Sequence, residues 1–254
     1  MMKIGLVQYD PVWENKQENM IKLDNLIGKI QENYSLLIFP EMTLTAFTMN
    51  SGEFAEEEGG PSCQYFAGIA RKLNTEVIAG FIEKSGSKIF NSLVHFDTGG
   101  TIKSKYRKIH PFSFSGENVH YERGEKTIIS SSGEWKIGLA ICYDLRFPEL
   151  FRTYAKERAE LMVVIANWPV KRIEHWKALI KARAIENQCY IAAVNRVGND
   201  PGNEYNGFSS IISPLGEELV RLVDSEVISG TEISFDGLLE VRKRMPFLND
   251  MHLF

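Results

Sequence analysis

Short apolar runs alternate with amphipathic stretches along most of the chain. Residues 3–9 form an apolar run that reads as a buried strand. Residues 14–32 then carry Met20, Leu23, Ile27 and Ile30 at helical spacing. Ser35-Leu36-Leu37-Ile38-Phe39 forms a second apolar strand, ended by Pro40. Strand, helix, strand at this length predicts a βαβ unit with parallel strands. Further on, helix 61–73 precedes strand 76–83, and segments 89–97 and 101–107 flank a Gly99-Gly100 turn as a hairpin. Strand 135–141 leads into helix 147–157, and strand 161–165 follows. Helix 172–187 places Ile173, Trp176, Ile180 and Ala184 on one face, and strands near 189–195, 208–213, 218–223 and 227–235 come after it. Strands outnumber helices. The pattern predicts a large α/β domain with two sheets, each covered by helices on its outer face. The stretch Ser51 to Pro61, rich in Glu and Gly, reads as a surface loop within that domain.

Composition narrows the function classes. The chain has 254 residues, enough for one large domain or two small ones. Apolar residues make up 44% and charged residues 24%, which excludes a disordered or collagen-like chain. The balance of 29 basic and 33 acidic residues, net −4, argues against nucleic acid or a membrane surface as partner. Cys63, Cys142 and Cys189 cannot all pair within one chain, and no CxxC or Cys/His cluster suggests zinc. The reading is a reducing cytoplasm. The opening residues read as a first strand, not a signal peptide, and the longest apolar run, Leu161 to Ala166, is far too short to span a bilayer.

Three polar residues follow apolar strands: Glu41, Cys142 and Asn167. Parallel α/β sheets bind ligands beyond the carboxyl ends of their strands, so all three are candidates for one crevice. Cys142 has two readings. It is either a buried core cysteine or a nucleophile at a strand-to-helix turn, where helical N–H groups favour a thiolate and can hold an oxyanion. Glu41 is either a loop charge or a general base whose pKa is raised by burial. Lys103, Lys105, Arg107 and Lys108 look like either a phosphate-binding patch or a solvated strand face. Alternation puts the first three on one face and leaves Lys108 at the strand's end, free to turn inward. Glu117 reads as an exposed loop acid, His175 as a packing residue beside Trp176, and Cys63 and Cys189 as structural. Arg146 either binds a substrate carboxylate or pairs with Glu149 or Glu186. A Cys–His enzyme using one of the five histidines is a rival arrangement.

Taken together, Phe39-Pro40-Glu41-Met42, Tyr106-Arg107-Lys108-Ile109-His110 and Ile141-Cys142-Tyr143-Asp144-Leu145-Arg146-Phe147-Pro148-Glu149 resemble the nitrilase superfamily of carbon–nitrogen hydrolases. The order Glu, Lys, Cys is that superfamily's order. Within it, Ala166-Asn167-Trp168-Pro169, His175-Trp176, Ala182 to Gln188, Asn195 to Gly198 and Tyr205-Asn206-Gly207 look most like the bacterial omega-amidase branch. Two departures stand out: Ala46 where glycine is usual, and Phe208 where aspartate is more familiar.

The resemblance implies a four-layer α-β-β-α sandwich over residues 1–235. It implies a C-terminal extension, 236–254, packing on the partner of a homodimer. It also implies hydrolysis of the terminal amide of 2-oxoglutaramate or 2-oxosuccinamate to acid and ammonia, with no metal or organic cofactor. Cys142 is then the nucleophile and Glu41 the proton carrier. Lys108 and the Tyr143 N–H hold the oxyanion, and Glu117 is a second, orienting glutamate. Arg146, Asn167 and Trp168 join Tyr143 as substrate-binding residues. Deaminated-glutathione amidase and N-carbamoyl amino acid hydrolase are the rival activities within the superfamily.

Overall fold

The computed structural model describes residues 1–252. In chain order the regular elements are β1 (Met2–Gln8), α1 (Lys16–Ile27), β2 (Leu36–Ile38), α2 (Ser51–Phe54), α3 (Pro61–Leu73), β3 (Glu76–Ser85), β4 (Lys88–Phe96) and β5 (Ile102–Arg107). They continue with α4 (Glu117–His120), β6 (Ile129–Ser132), β7 (Trp135–Ile141), α5 (Pro148–Lys156), β8 (Leu161–Ala166), α6 (Ile173–Asn187) and β9 (Tyr190–Asn195). The last are β10 (Val197–Asn199), β11 (Glu204–Ile212), β12 (Glu218–Val223), β13 (Val227–Ile233) and α7 (Phe235–Arg244).

Two sheets form. The first runs β13-β1-β2-β3-β4-β5, and the second β10-β11-β9-β8-β7-β6 with β12 also on β11. Strands β1, β2 and β3 are mutually parallel, as are β7, β8 and β9. Side-chain alternation along the central strands builds the layers. In β2, Leu36 and Ile38 face the second sheet, meeting Ile137, Leu139, Val163 and Ile165, while Leu37 and Phe39 pack with Leu23, Phe66 and Ala70 of α1 and α3. In β8, Val163 and Ile165 face the first sheet, while Met162 and Val164 meet Phe151 and Tyr154 of α5 and Trp176 and Ile180 of α6. The result is the α-β-β-α sandwich.

The helix ends follow local chemistry. Asn15 caps α1 by accepting from the Glu18 N–H, and the chain turns at Gly28, so α1 is shorter than the 14–32 pattern and Ile30 lies beyond it. Proline opens α3 and α5, and α3 and α6 end on left-handed Asn74 and Gln188. Strand β11 begins at Glu204, not near 208, because its first residues pair only with short β10 and carry no apolar alternation. The Ser51 to Pro61 stretch is more ordered than its composition suggests. It holds α2, and the Glu56 carboxylate accepts from the Ser62 N–H at 2.7 Å at the start of α3.

Segment 235–252 packs on its own domain: Leu238 and Leu248 are buried, and Arg242 donates to the carbonyls of Gln188 and Ala159. Leu253 and Phe254, the end of the predicted extension, lie outside the described residues. No helix among the described residues is long and apolar enough to cross a membrane.

Candidate active site

The carboxyl ends of β2, β7 and β8 meet the end of β5 at one point. Glu41 leaves β2 through Pro40, and its backbone crosses β3 closely. The Thr43 N–H donates to the Gly80 carbonyl at 3.0 Å. A side chain at position 80 would come within 2.7 Å of the Met42 nitrogen, so this crossing requires glycine. Lys108 follows the last residue of β5 and turns inward, leaving the alternating face of Lys103, Lys105 and Arg107.

Those three residues form no phosphate patch. Lys103 pairs with Glu76 at 2.7 Å, Lys105 with Glu83 at 2.7 Å, and Arg107 grips Glu83 with two bonds at 2.6 and 2.9 Å. Their charge is spent on carboxylates of the same sheet.

Lys108 is 1% exposed and sits between two buried carboxylates. Its Nζ lies 2.9 Å from Glu41 Oε1 and 2.8 and 3.0 Å from the two oxygens of Glu117. Asn91 Nδ2 bridges the same two carboxylates at 2.7 and 2.8 Å. Glu41 Oε2 accepts from the Asn167 N–H at 2.8 Å. Glu117, fully buried, is no exposed loop acid. The Phe112 N–H and the Lys108 ammonium draw it in. Burial opposes the charge on Lys108, but Glu117, Glu41 and Cys142 outweigh it and hold the ammonium pKa well above its usual value. Burial also raises the Glu117 carboxyl, against the pull of Lys108.

Cys142 opens a 3₁₀ turn, Cys142–Arg146, directly after β7. Its φ is +47°, in the left-handed region that non-glycine residues avoid. This sharp turn presents Sγ beyond the strand end, beside the Asn167 carbonyl at 3.9 Å. Burial and the Glu41 charge raise the thiol pKa well above its usual value, and Lys108 pulls the other way.

Cys142 lies in a cavity of about 510 Å³ with Tyr143, Arg146, Asn167 and Trp168 in its wall. Phe47, Phe112 and Tyr205 add apolar surface. Arg146 pairs with neither Glu149 nor Glu186. Its guanidinium lies 4.9 Å from the Trp168 ring centroid and donates to His175 Nδ1 at 3.1 Å. Glu186 is instead held by Arg183 and Arg152. His175 is exposed, not packed, because Trp176 takes the inward direction and the next position on the helix points away. Among the described residues, no histidine lines the cavity and no cluster of metal-ligating side chains forms. Cys63 and Cys189 are buried elsewhere and unpaired.

Two groups in the site lack a sequence signal of their own. Asn91 is an ordinary polar residue of β4 until the fold brings it to Glu41. Asp144 lies inside the cysteine signature. It is fully buried and accepts from Tyr106 Oη, the His110 and Ile141 N–H groups and His110 Nδ1.

The family model described as carbon-nitrogen hydrolase matches residues 3–243. The chain belongs to this family. It is 34% identical to the 2-oxoglutaramate amidase of Bacillus subtilis, over 98% of this chain and 96% of that protein. It is 32% identical to the omega-amidase YafV of Escherichia coli K12, over 100% and 98% of the two chains. The solved structure of XC1258 from Xanthomonas campestris, a CN-hydrolase superfamily protein with an arsenic adduct in the active site, superposes with a TM-score of 0.94. It shares 31% identity, covering 100% of this chain and 98% of that one. Both departures noted in the sequence fall at left-handed backbone: Ala46 has φ +58° and Phe208 φ +59°. Glycine avoids the strain a side chain meets there, and aspartate is among the residues that tolerate it best.

Proposed function

We propose that this hydrolase cleaves the terminal amide of a short 2-oxo acid, such as 2-oxoglutaramate or 2-oxosuccinamate, through a thioester on Cys142. The observation that carries the reading is the buried Lys108 ammonium held between Glu41 and Glu117 behind a cavity lined by Cys142. Two relatives named for this activity support the substrate class.

An amide carbonyl is a weak electrophile. The mechanism therefore couples attack to proton removal. Cys142 Sγ attacks as its proton passes to Glu41, so no free thiolate is needed at rest. Lys108 and the Tyr143 N–H, at the open start of the 3₁₀ turn, stabilise the oxyanion. Glu41 then gives its proton to the leaving nitrogen, and ammonia departs. In the second half the same carboxylate activates water, which cleaves the thioester. Glu117 keeps Lys108 in place through both steps. At the far end, Arg146 offers a guanidinium with no carboxylate partner among the described residues to the substrate carboxylate, while Trp168 and Tyr143 shape the wall. No step calls for a metal or organic cofactor.

The three free cysteines support a reducing, cytoplasmic setting. A homodimer, with the C-terminal extension touching the partner, completes the proposal, and light scattering tests it. Ammonia release from 2-oxoglutaramate by wild type and Cys142→Ala tests the activity. Turnover by wild type alone supports the reading, and equal turnover by both contradicts it.

A further inference from the structure

We propose that Arg172 donates to the 2-oxo oxygen of the substrate and so selects 2-oxo acid amides over amides that lack that oxygen. The inference rests on the amidase reading and assigns the group that reads the substrate class.

Arg172 lines the same cavity as Cys142 and Arg146, and it is half-buried. Its backbone is held in place, because the Trp168 indole N–H donates to its carbonyl at 2.7 Å. Its guanidinium lies 5.2 Å from the Phe112 ring centroid, and the Phe112 ring centroid is 4.7 Å from that of Tyr143. Arg146 lies 5.9 Å from the Tyr143 centroid and 4.9 Å from that of Trp168. The two guanidiniums therefore stand on one aromatic patch, and that patch begins at the residue after the nucleophile.

A guanidinium can only donate hydrogen bonds. Arg146 has one acceptor, His175 Nδ1, and the Arg172 guanidinium has none among the described residues. Two carboxylates also line the cavity, Glu14 and Asp200, but each is engaged elsewhere. Glu14 accepts from the Thr48 hydroxyl. Asp200 accepts from the Gly202 and Asn203 N–H groups at 2.7 Å and from the Tyr205 hydroxyl. Two neighbouring donor groups short of acceptors call for a ligand with acceptors on adjacent atoms. A 2-oxo carboxylate is such a group: its carboxylate and its carbonyl oxygen sit on neighbouring carbons and all accept. With the carboxylate at Arg146, the 2-oxo oxygen falls to Arg172. A 2-amino acid amide places an ammonium there, with three N–H donors and a positive charge against a second cation. An amide acid with a plain methylene leaves the guanidinium without a partner. A site built to hydrogen-bond a substrate group rejects the analogue that lacks it.

The test measures kcat/KM for three amides of one chain length: 2-oxoglutaramate, glutaramate and glutamine. Wild type is compared with Arg172→Met, which keeps an unbranched side chain against Phe112 but removes the charge and the donors. Arg172→Met is expected to lower 2-oxoglutaramate about 10–10² times more than glutaramate, the loss of one charge-assisted bond. Glutamine should fall least. Arg172→Lys, still cationic and still only a donor, should recover part of the lost preference. A residue that merely holds Phe112, and through its N–H Glu117, would lower all three amides alike. A second clamp on the carboxylate would lower 2-oxoglutaramate and glutaramate alike. Either pattern overturns the role of Arg172 and leaves the amidase reading intact. Arg172→Leu gives the same ratios if Arg172→Met does not fold. A wild-type enzyme that prefers glutaramate or glutamine to 2-oxoglutaramate overturns the proposal without any variant. Failure of the wild type to release ammonia from any of the three would remove the amidase reading itself, and this proposal with it.

Discussion

The Tyr106 hydroxyl donates to Asp144 Oδ2 at 2.7 Å, and this bond ties the strand that delivers Lys108 to the turn that delivers Cys142. The same carboxylate oxygen accepts from the Ile141 N–H, and the other oxygen holds His110. Ammonium and thiol therefore share one buried anchor. Tyr106→Phe removes a single charge-assisted bond and should cost about 1.5–3 kcal/mol of stability. Urea unfolding should show a lower midpoint at unchanged slope, and kcat should fall with it as the turn loosens. Unchanged values of both would detach Asp144 from the positioning of Cys142.

The thiol responds to its two charged neighbours in opposite directions. Burial raises its pKa first, Glu41 raises it further, and Lys108 lowers it. Glu41→Gln should therefore let Cys142 ionise at lower pH than in wild type while abolishing turnover. Lys108→Met should move the ionisation the other way and cost about 10²–10³ in kcat. The ultraviolet absorbance of the thiolate, followed against pH, reads both shifts. A Glu41→Gln enzyme that gains thiolate yet keeps its rate would remove Glu41 as proton carrier.

Arg146 is steered by its surroundings, its guanidinium 4.9 Å from the Trp168 ring centroid and hydrogen-bonded to His175. Lysine cannot reproduce that planar fork. Arg146→Lys should raise KM about 10–10²-fold for an amide that carries a far carboxylate, at similar kcat. A plain alkyl amide should be little affected. Equal effects on both would assign Arg146 to folding.

Acid stability should depend on Glu83. Burial pushes its carboxyl up, but hydrogen bonds from Arg107, Lys105 and Ser92 outweigh this and lower it to about 2. A depressed folded pKa contributes stability above the unfolded value and loses it as pH falls toward the folded one. The contribution should be full near neutrality and fade from about pH 4.5 down to about pH 2. Glu83→Gln should flatten that part of the stability curve, while wild type should decline through it. Identical curves in unfolding experiments across this range would contradict the assignment.

Much of this architecture was legible in residue pattern. The apolar runs of β2, β7 and β8 alternate in three dimensions between sheet and helix contacts, and each ends at a polar residue that the fold gathers. Alternation along β5 also separated Lys108 from its basic neighbours. What periodicity could not carry was pairing across distance. Glu117 follows Gly116 in a polar loop, and only the Lys108 charge and the Phe112 N–H draw it inside. Asn91 acquires its meaning from register, since the Lys108 N–H pairs with its carbonyl. The partner of Arg146 lies on α6, 29 residues away, where neither Glu149 nor Glu186 could be ruled out by spacing. The left-handed backbone at Cys142, φ +47°, has no signal in local propensity, which disfavours it for any residue but glycine.

The most direct measurement is acid-quenched mass spectrometry of the enzyme during turnover of 2-oxoglutaramate. The account predicts an acyl adduct on the peptide that contains Cys142, formed with release of one ammonia per adduct and absent in Cys142→Ala. Steady ammonia release with no adduct on Cys142, and with activity retained by Cys142→Ala, would contradict it.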